Sequence, residues 1–242
     1  MISTWTLSRR VLVIALGLVG ILWGTSEFSK FRRETTISNI ARRVIDGDPF
    51  KPEILLNQAS LSELVESPAT CRPLALRSAA VVRVRIAEIS NNPDLAPALL
   101  RKNSAVDAIR NSLGCSPADP FLWLVLFALE PSAHLNHLRA SYRLGPSEGW
   151  IALKRNPVTF AAFDELPVDL RDTVVQEFLR ILEMDLYDEA TKIFVGPAWD
   201  KKELILSRID QISLRHRQNL AVRLAAGGYD VIIPGTATKN TP

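Results

Sequence analysis

The sequence predicts an all-α protein in which antiparallel helical hairpins form a solenoid, preceded by one N-terminal transmembrane helix. Three observations predict this: an uncharged apolar stretch near the N-terminus, apolar residues that recur at helical spacing, and short turns between segments of similar length. Of the 242 residues, 47% are hydrophobic and 23% are charged, with only 11 Gly and 15 Pro. This composition permits a packed core and excludes collagen-like and low-complexity chains.

The predicted chain has four parts. Residues 1–28 form a membrane anchor or uncleaved signal, residues 29–50 a juxtamembrane linker, residues 51–226 a helical domain, and residues 227–242 a flexible tail.

The N-terminal part contains a stretch without formal charge, Val11–Ser26, directly after Arg9 and Arg10. As a helix it would be about 24 Å long, slightly short of the roughly 30 Å hydrocarbon thickness of a bilayer. Trp5 and Trp23 are of the type that lies at the two membrane interfaces. A cleaved signal peptide is the alternative, but the small residues near the end of the stretch make an imperfect cleavage site. We therefore favour an uncleaved anchor that contacts the membrane through residues 11–26.

The orientation of this anchor is not decided by charge. Arg9 and Arg10 precede the stretch, whereas Lys30, Arg32 and Arg33 follow it. A first hydrophobic segment this close to the start usually has its N-terminus inside, which predicts a single-pass inner-membrane protein with most of its chain in the periplasm. A cytoplasm-facing adaptor is the alternative.

After the linker, the sequence predicts a series of short helices. They are expected at 52–66, 73–89, 96–113, 120–130, 133–143, 147–155, 168–183, 186–195 and 199–224. In the second of these, apolar residues recur along one helical face. Its members are Ala75, Ala79, Val82, Ile86 and Ile89.

The helices predicted at 73–89 and 96–113 are nearly equal in length and are joined by a short turn, which indicates an antiparallel hairpin. Such a hairpin brings residues 71 and 115 to the same end. These positions are Cys71 and Cys115, the two cysteines of the chain. We therefore expect a disulfide, which requires an oxidising compartment and supports the periplasmic orientation.

Helical pairs recur without a fixed period. Asp-Pro or Asn-Pro steps at residues 48, 92, 119 and 156 are separated by intervals whose mean is near the roughly 34 residues of a tetratricopeptide (TPR) repeat. In a solenoid of this kind each helix pair covers the apolar face of its neighbour. The predicted domain is therefore TPR-like.

Two segments carry a resemblance to a known group. SPADPFLWL at 116–124 and YRLGPSEGWIALKRN at 142–156 resemble segments of N-terminally anchored, TPR-like proteins of bacterial exopolysaccharide systems, the VpsP-like group. The resemblance implies a scaffold that binds envelope proteins of a polysaccharide assembly or export complex. It implies no enzymatic activity.

Aromatic and basic residues of the same region could line a partner-binding groove. Side chains of this type favour an acidic peptide or an anionic glycan, since aromatic rings stack on sugars and cations attract carboxylates. The candidate groove residues are Trp123, Arg139, Tyr142, Arg143, Trp150, Lys154 and Arg155. Packing of the aromatic residues between helices is the alternative.

No catalytic motif was found, and we expect no cofactor, no metal and no nucleic-acid partner. Glu130, His134 and His137 have helical spacing, but Pro131 interrupts them and a zinc site needs further ligands. The net charge of +3 comes from basic residues spread along the chain rather than concentrated on one segment. A glycan-active hydrolase or lyase remains the enzymatic alternative, although no carboxylate pair is singled out by spacing.

Overall fold

The computed structural model describes residues 4–51, 54–55, 71–89, 95–130 and 135–236. Within these residues every regular element is a helix, which confirms the all-α prediction. The chain divides into two compact units, Met1–Pro117 and Ala118–Pro242. We call them unit 1 and unit 2 and describe each by itself. The helix predicted at 52–66 lies almost entirely outside the described residues.

The described residues of unit 1 form three long helices. They are α1 (Thr4–Asp46), α2 (Pro73–Ile89) and α3 (Leu95–Cys115). Helix α2 is central, since it packs against both α1 and α3. Its buried residues therefore extend around most of its circumference: Ala75, Leu76, Ser78, Ala79, Ala80, Val81, Val82 and Ile86.

Helix α1 has 43 residues, a length of about 64 Å. Its C-terminal part buries Ile37 and Ala41 and packs against α2. Residues 29–46, which the sequence assigns to a juxtamembrane linker, thus continue the helix without a break.

The N-terminal part of α1 has the opposite character, because its apolar side chains are 56–70% exposed. These residues are Leu12, Val13, Ile14, Leu16, Leu18, Val19, Ile21, Leu22 and Trp23. The sequence predicts a transmembrane helix at 11–26. None of the helices in the described parts of the chain combines the length and the apolarity that crossing a bilayer requires.

Unit 2 contains the remaining helices. They are α4 (Pro120–Leu129), α5 (Leu135–Leu144), α6 (Gly149–Ala161), α7 (Val168–Glu183), α8 (Tyr187–Val195), α9 (Lys202–Leu206) and α10 (Leu214–Ala226). Three single-turn 3₁₀ helices, Phe163–Glu165, Trp199–Lys201 and Ile209–Gln211, lie between them. Helix α4 packs on α5, α6 on α7, and α8 on α10; α6 also contacts both α4 and α8.

Local sequence explains where α4 begins. The side chain of Asp119 accepts hydrogen bonds from the backbone N–H groups of Phe121 and Leu122 at 3.0 and 3.1 Å. Pro120 occupies the first helical position, where a missing N–H has no cost. The Asp-Pro step that punctuates the sequence is therefore a helix start.

Helix α6 differs from its prediction, which ends at residue 155. It continues through Pro157 to Ala161. An internal proline costs about 3 kcal/mol in an isolated helix, but Asn156, Thr159 and Phe160 are all buried around it. Packing of these side chains outweighs the local penalty.

The C-terminal region also differs from its prediction of one helix at 199–224. Ile205, Ile209 and Ile212 are buried at helical spacing, which explains the prediction. However, Ser213 is extended, with φ −62° and ψ 154°, and α10 begins after it. Beyond α10, Ile233 of the predicted tail is buried in the core of unit 2, and residues 237–242 lie outside the described part.

Candidate functional site

A polar cluster lies inside unit 2, centred on Arg155. This side chain is fully buried and donates from Nε and Nη2 to Oε1 of Glu177 at 2.8 and 2.6 Å. It also donates to Oγ of Ser141 and to the carbonyl oxygen of Gly145, both at 3.0 Å. The guanidinium lies 4.0 Å from the ring centre of Tyr142. All of its polar contacts are thus internal to the protein.

Glu177 gathers the other polar groups of the cluster. Its Oε2 accepts from the hydroxyl of Tyr142 at 3.1 Å and from Nδ2 of Asn156 at 3.4 Å. Burial raises the pKa of Glu177, and the neighbouring Arg155 opposes that change. Burial, with the Glu177 carboxylate beside it, also raises the pKa of Tyr142.

This cluster corrects the predicted groove. Arg155 was expected on a partner-binding surface, but it is enclosed by α5, α6 and α7 and cannot meet a partner. Tyr142 points to the same interior carboxylate. Both residues have a structural role, since they satisfy a buried carboxylate that would otherwise be costly.

Trp150 does lie at the surface, at the start of α6. Trp150 is 40% exposed. The centre of its ring is 5.3 Å from that of Phe121, and its Nε1 donates a hydrogen bond to Oε2 of Glu148 at 3.2 Å. Lys154 is exposed one turn later on the same helical face. We call Phe121, Trp150 and Lys154 the Trp150 surface.

The close approach of α6 and α7 extends this surface. A Cβ on Gly149 would lie 3.1 Å from Sδ of Met184, and Met184 is itself 40% exposed. A glycine next to Trp150 therefore lets a second exposed apolar side chain approach. Phe121 and Met184 are not among the predicted groove residues, because their proximity to Trp150 comes from helix packing and no local sequence pattern shows it.

The other predicted groove residues lie elsewhere. The ring of Trp123 contacts that of His137 at 5.3 Å, and Arg139 forms an ion pair with Asp169 that joins α5 to α7. Arg143 is exposed near the end of α5. The predicted groove is thus distributed over the surface and the interior of unit 2.

A second polar cluster, whose residues are not among the predicted site residues, lies where the turn between α7 and α8 meets the start of α10. The hydroxyl of Tyr187 donates to Oδ1 of Asp185 and lies 2.8 Å from Nδ1 of His216. Arg215 contacts the same carboxylate oxygen at 3.0 Å. The hydrogen bond from Tyr187, with the charge of Arg215, lowers the pKa of Asp185.

The backbone of Asp185 is in the left-handed region, with φ 62°. Among non-glycine residues of the described chain, no other has a positive φ. The three side-chain contacts hold this turn against the start of α10. The acidic segment at 183–189 is visible in the sequence, but Arg215 and His216, which contact Asp185, come 30 and 31 residues later in the chain.

Metal binding finds no support in the part of the chain that the structure describes, where no group of three or more His, Cys, Asp or Glu could hold an ion. His134 of the Glu130, His134 and His137 motif lies outside the described residues.

The two cysteines meet in unit 1. The structure contains a disulfide between Cys71 and Cys115, whose Cα atoms are 5.5 Å apart. The next residue, Arg72, forms an ion pair with Glu34 of α1 and lies 3.6 Å from the carboxylate of Glu27. The linked end of the α2–α3 hairpin is therefore held against α1.

No protein-family model, curated protein or solved structure matches this chain.

Proposed function

We propose that this protein is a membrane-anchored scaffold that works by binding, in bacterial exopolysaccharide synthesis or export. In this proposal α1 anchors it to the inner membrane, and the helical units lie in the periplasm. Its partners are envelope proteins of the polysaccharide assembly or export complex.

The observation that carries the anchor is the exposed apolar surface of α1. Nine apolar side chains between Leu12 and Trp23 are more than half exposed. Soluble monomers rarely expose contiguous apolar patches beyond a few hundred Å². We therefore expect these side chains to be covered by an apolar environment. Its position after Arg9 and Arg10 favours lipid, because long basic side chains can extend to head groups.

The disulfide supports the periplasmic side. Bonds of this kind persist in oxidising compartments and are rare in the cytosol. Retention of free thiols at Cys71 and Cys115 in cells would instead favour the cytoplasm-facing adaptor.

The arrangement of unit 2 supports a TPR-like scaffold. Helices pair as α4 with α5, α6 with α7 and α8 with α10, and the first helices of successive pairs, α4, α6 and α8, contact one another. This is how stacked helical repeats present a binding surface. The Trp150 surface lies on two of these first helices.

The chemistry of the Trp150 surface supports an acidic partner segment. An exposed indole supplies a large contact area at low entropic cost, and Lys154 supplies a positive charge beside it. An acidic peptide of an envelope protein fits both features. An anionic glycan shares the charge and the ability to stack.

Affinity purification from detergent-solubilised native membranes tests this function. We expect polysaccharide assembly or export proteins to co-elute with the wild-type chain, and a variant carrying Trp150→Ala and Lys154→Glu to recover at least about tenfold less. Leu214→Ala, at another exposed apolar residue of unit 2, is the matched control and should retain the partners. Equal recovery from all three, or polysaccharide turnover by the purified protein alone, would contradict the proposal.

A further inference from the structure

We infer that the contact with lipid extends beyond the uncharged stretch, to Phe28 and Phe31 of α1 and to Leu74 at the disulfide-linked end of the α2–α3 hairpin. This inference rests on the membrane anchor proposed above. It adds an interaction surface that the apolar stretch of the sequence does not include.

The direction of α2 brings its start to the base of the apolar segment. Arg72 pairs with Glu34, and farther along both helices Oγ of Ser78 lies 3.1 Å from Oγ of Ser38. Residue numbers increase together along the two helices, so α1 and α2 run in the same direction. The start of α2 is therefore level with residues 27–34 of α1, just after the uncharged stretch.

The end of α3 is held at the same level. The disulfide joins Cys115 to Cys71, while Arg83 donates a hydrogen bond to Ser104. Residue numbers rise along α2 as they fall along α3, so the two helices are antiparallel. The linked end of the hairpin thus faces the same side as the apolar segment, and the opposite end faces away.

Exposed apolar side chains are found at this level. Phe28 is 60%, Phe31 65% and Leu74 66% exposed, and the guanidinium of Arg32 lies 5.9 Å from the ring of Phe28. Aromatic and basic residues side by side are typical of a membrane interface.

These side chains also compensate for a shortfall in length. The uncharged stretch Val11–Ser26 is about 24 Å long, roughly 6 Å less than the hydrocarbon layer. Phe28 and Phe31 lie about 3 and 8 Å beyond Ser26 along the helix axis. Their rings continue the apolar surface through the distance that the stretch leaves uncovered.

Two carboxylates at the same level would oppose contact with lipid, but both have a cationic neighbour. Arg72 pairs with Glu34 and lies 3.6 Å from Glu27. Acidic groups near lipid are tolerated when they are paired. Arg72 therefore makes the disulfide-linked end of the hairpin compatible with a head-group environment.

The hairpin offers a matched pair of leucines for a test. Leu74 is 66% and Leu100 is 70% exposed, so the two differ little in accessibility. Leu100 lies on α3, about 22 Å along the helix from Cys115. Lipid contact at the linked end predicts opposite results at the two positions.

The experiment is photo-crosslinking of the full chain in vesicles of phosphatidylethanolamine and phosphatidylglycerol that contain a radiolabelled phospholipid. The photoreactive residue p-benzoylphenylalanine replaces Leu16, Leu74 or Leu100, one position at a time. We expect lipid adducts from positions 16 and 74. Position 100 should give no more adduct than an unirradiated sample.

Each other outcome has a distinct meaning. Adducts at 16 but not at 74 would overturn the surface contact and leave the anchor intact. Equal adducts at 74 and 100 would also overturn it, because the hairpin would then lie flat on lipid or contact it at random. Absence of an adduct at 16 would overturn the anchor itself.

Discussion

Arg155 and Glu177 form a fully enclosed ion pair between α6 and α7, with Nη2 and Oε1 2.6 Å apart. Removing one partner of such a pair leaves an uncompensated charge in the interior, which typically costs about 3–5 kcal/mol. Arg155→Met should therefore lower the free energy of unfolding by about that amount. Urea unfolding of the full chain in detergent, followed by tryptophan fluorescence, measures it.

The exposed neighbour Arg143 provides the control, since Arg143→Met should change stability by less than about 0.5 kcal/mol. Combining Arg155→Met with Glu177→Gln removes both charges and should recover part of the loss. Equal stability of the two arginine variants would show that the pair does not hold unit 2 together.

The disulfide should contribute substantially to the stability of unit 1. It joins residues 44 positions apart, and closing a loop of this size stabilises the folded state by about 4 kcal/mol in the chain-entropy model. Cys71→Ser with Cys115→Ser should lower the free energy of unfolding accordingly. Wild-type protein in excess reductant should unfold like the double variant, whereas identical curves with and without reductant would contradict this prediction.

Asp185 should make the stability of unit 2 fall at acid pH. Its pKa is held below the ordinary 3.8 by the hydrogen bond from Tyr187 and by Arg215. A carboxyl with a depressed pKa contributes stability above its unfolded pKa and loses it as pH falls through the folded-state value. Asp185→Asn should therefore lower the free energy of unfolding at neutral pH. Below about pH 4 the variant should lose less stability than the wild type does.

Asparagine is the informative substitution here because it tolerates a positive φ as aspartate does. Urea midpoints measured at neutral and acid pH provide the readout, and Asp210→Asn, at an exposed aspartate of the same unit, is the control. An unchanged pH profile in Asp185→Asn would argue against this contribution.

Two glycines should respond oppositely to alanine. A Cβ on Gly145 would lie 2.8 Å from Cβ and Cγ of Pro120, whereas a Cβ on Gly114, inside α3, meets nothing within 4 Å. Gly145→Ala should destabilise by about 1–3 kcal/mol through overpacking, and Gly114→Ala should stabilise by up to about 1 kcal/mol through helix propensity. Thermal unfolding followed by circular dichroism compares them, and a stabilising Gly145→Ala would show that Pro120 can move away.

Local patterns predicted much of the helical framework. The bounds of α2 and α7 agree with the residue ranges expected from periodicity, and the Asp119-Pro120 step marks the start of α4. The proximity of Cys71 and Cys115 followed from the hairpin, because two helices of similar length return the chain close to its starting level. Helix bounds, helix starts and short turns depend on residues that are close together in the sequence, so they can be predicted from it.

The candidate site was only partly predictable. Four basic residues of α5 and α6 appeared equivalent in the sequence, yet Arg155 is buried while Arg143 and Lys154 are exposed. The difference depends on Glu177, 22 residues farther along the chain, and no local pattern contains that partner.

Residue patterns along the chain are enough to predict the helical class, most helix starts, the apolar stretch near the N-terminus and the level at which the two cysteines meet. Three features depend on packing in three dimensions: the continuation of α6 through Pro157, the division of the region after Trp199 into short helices, and the approach of Phe121 and Met184 to Trp150. The physical reason is that helix periodicity and capping are local. Burial, by contrast, is decided by which distant side chains fill the same space.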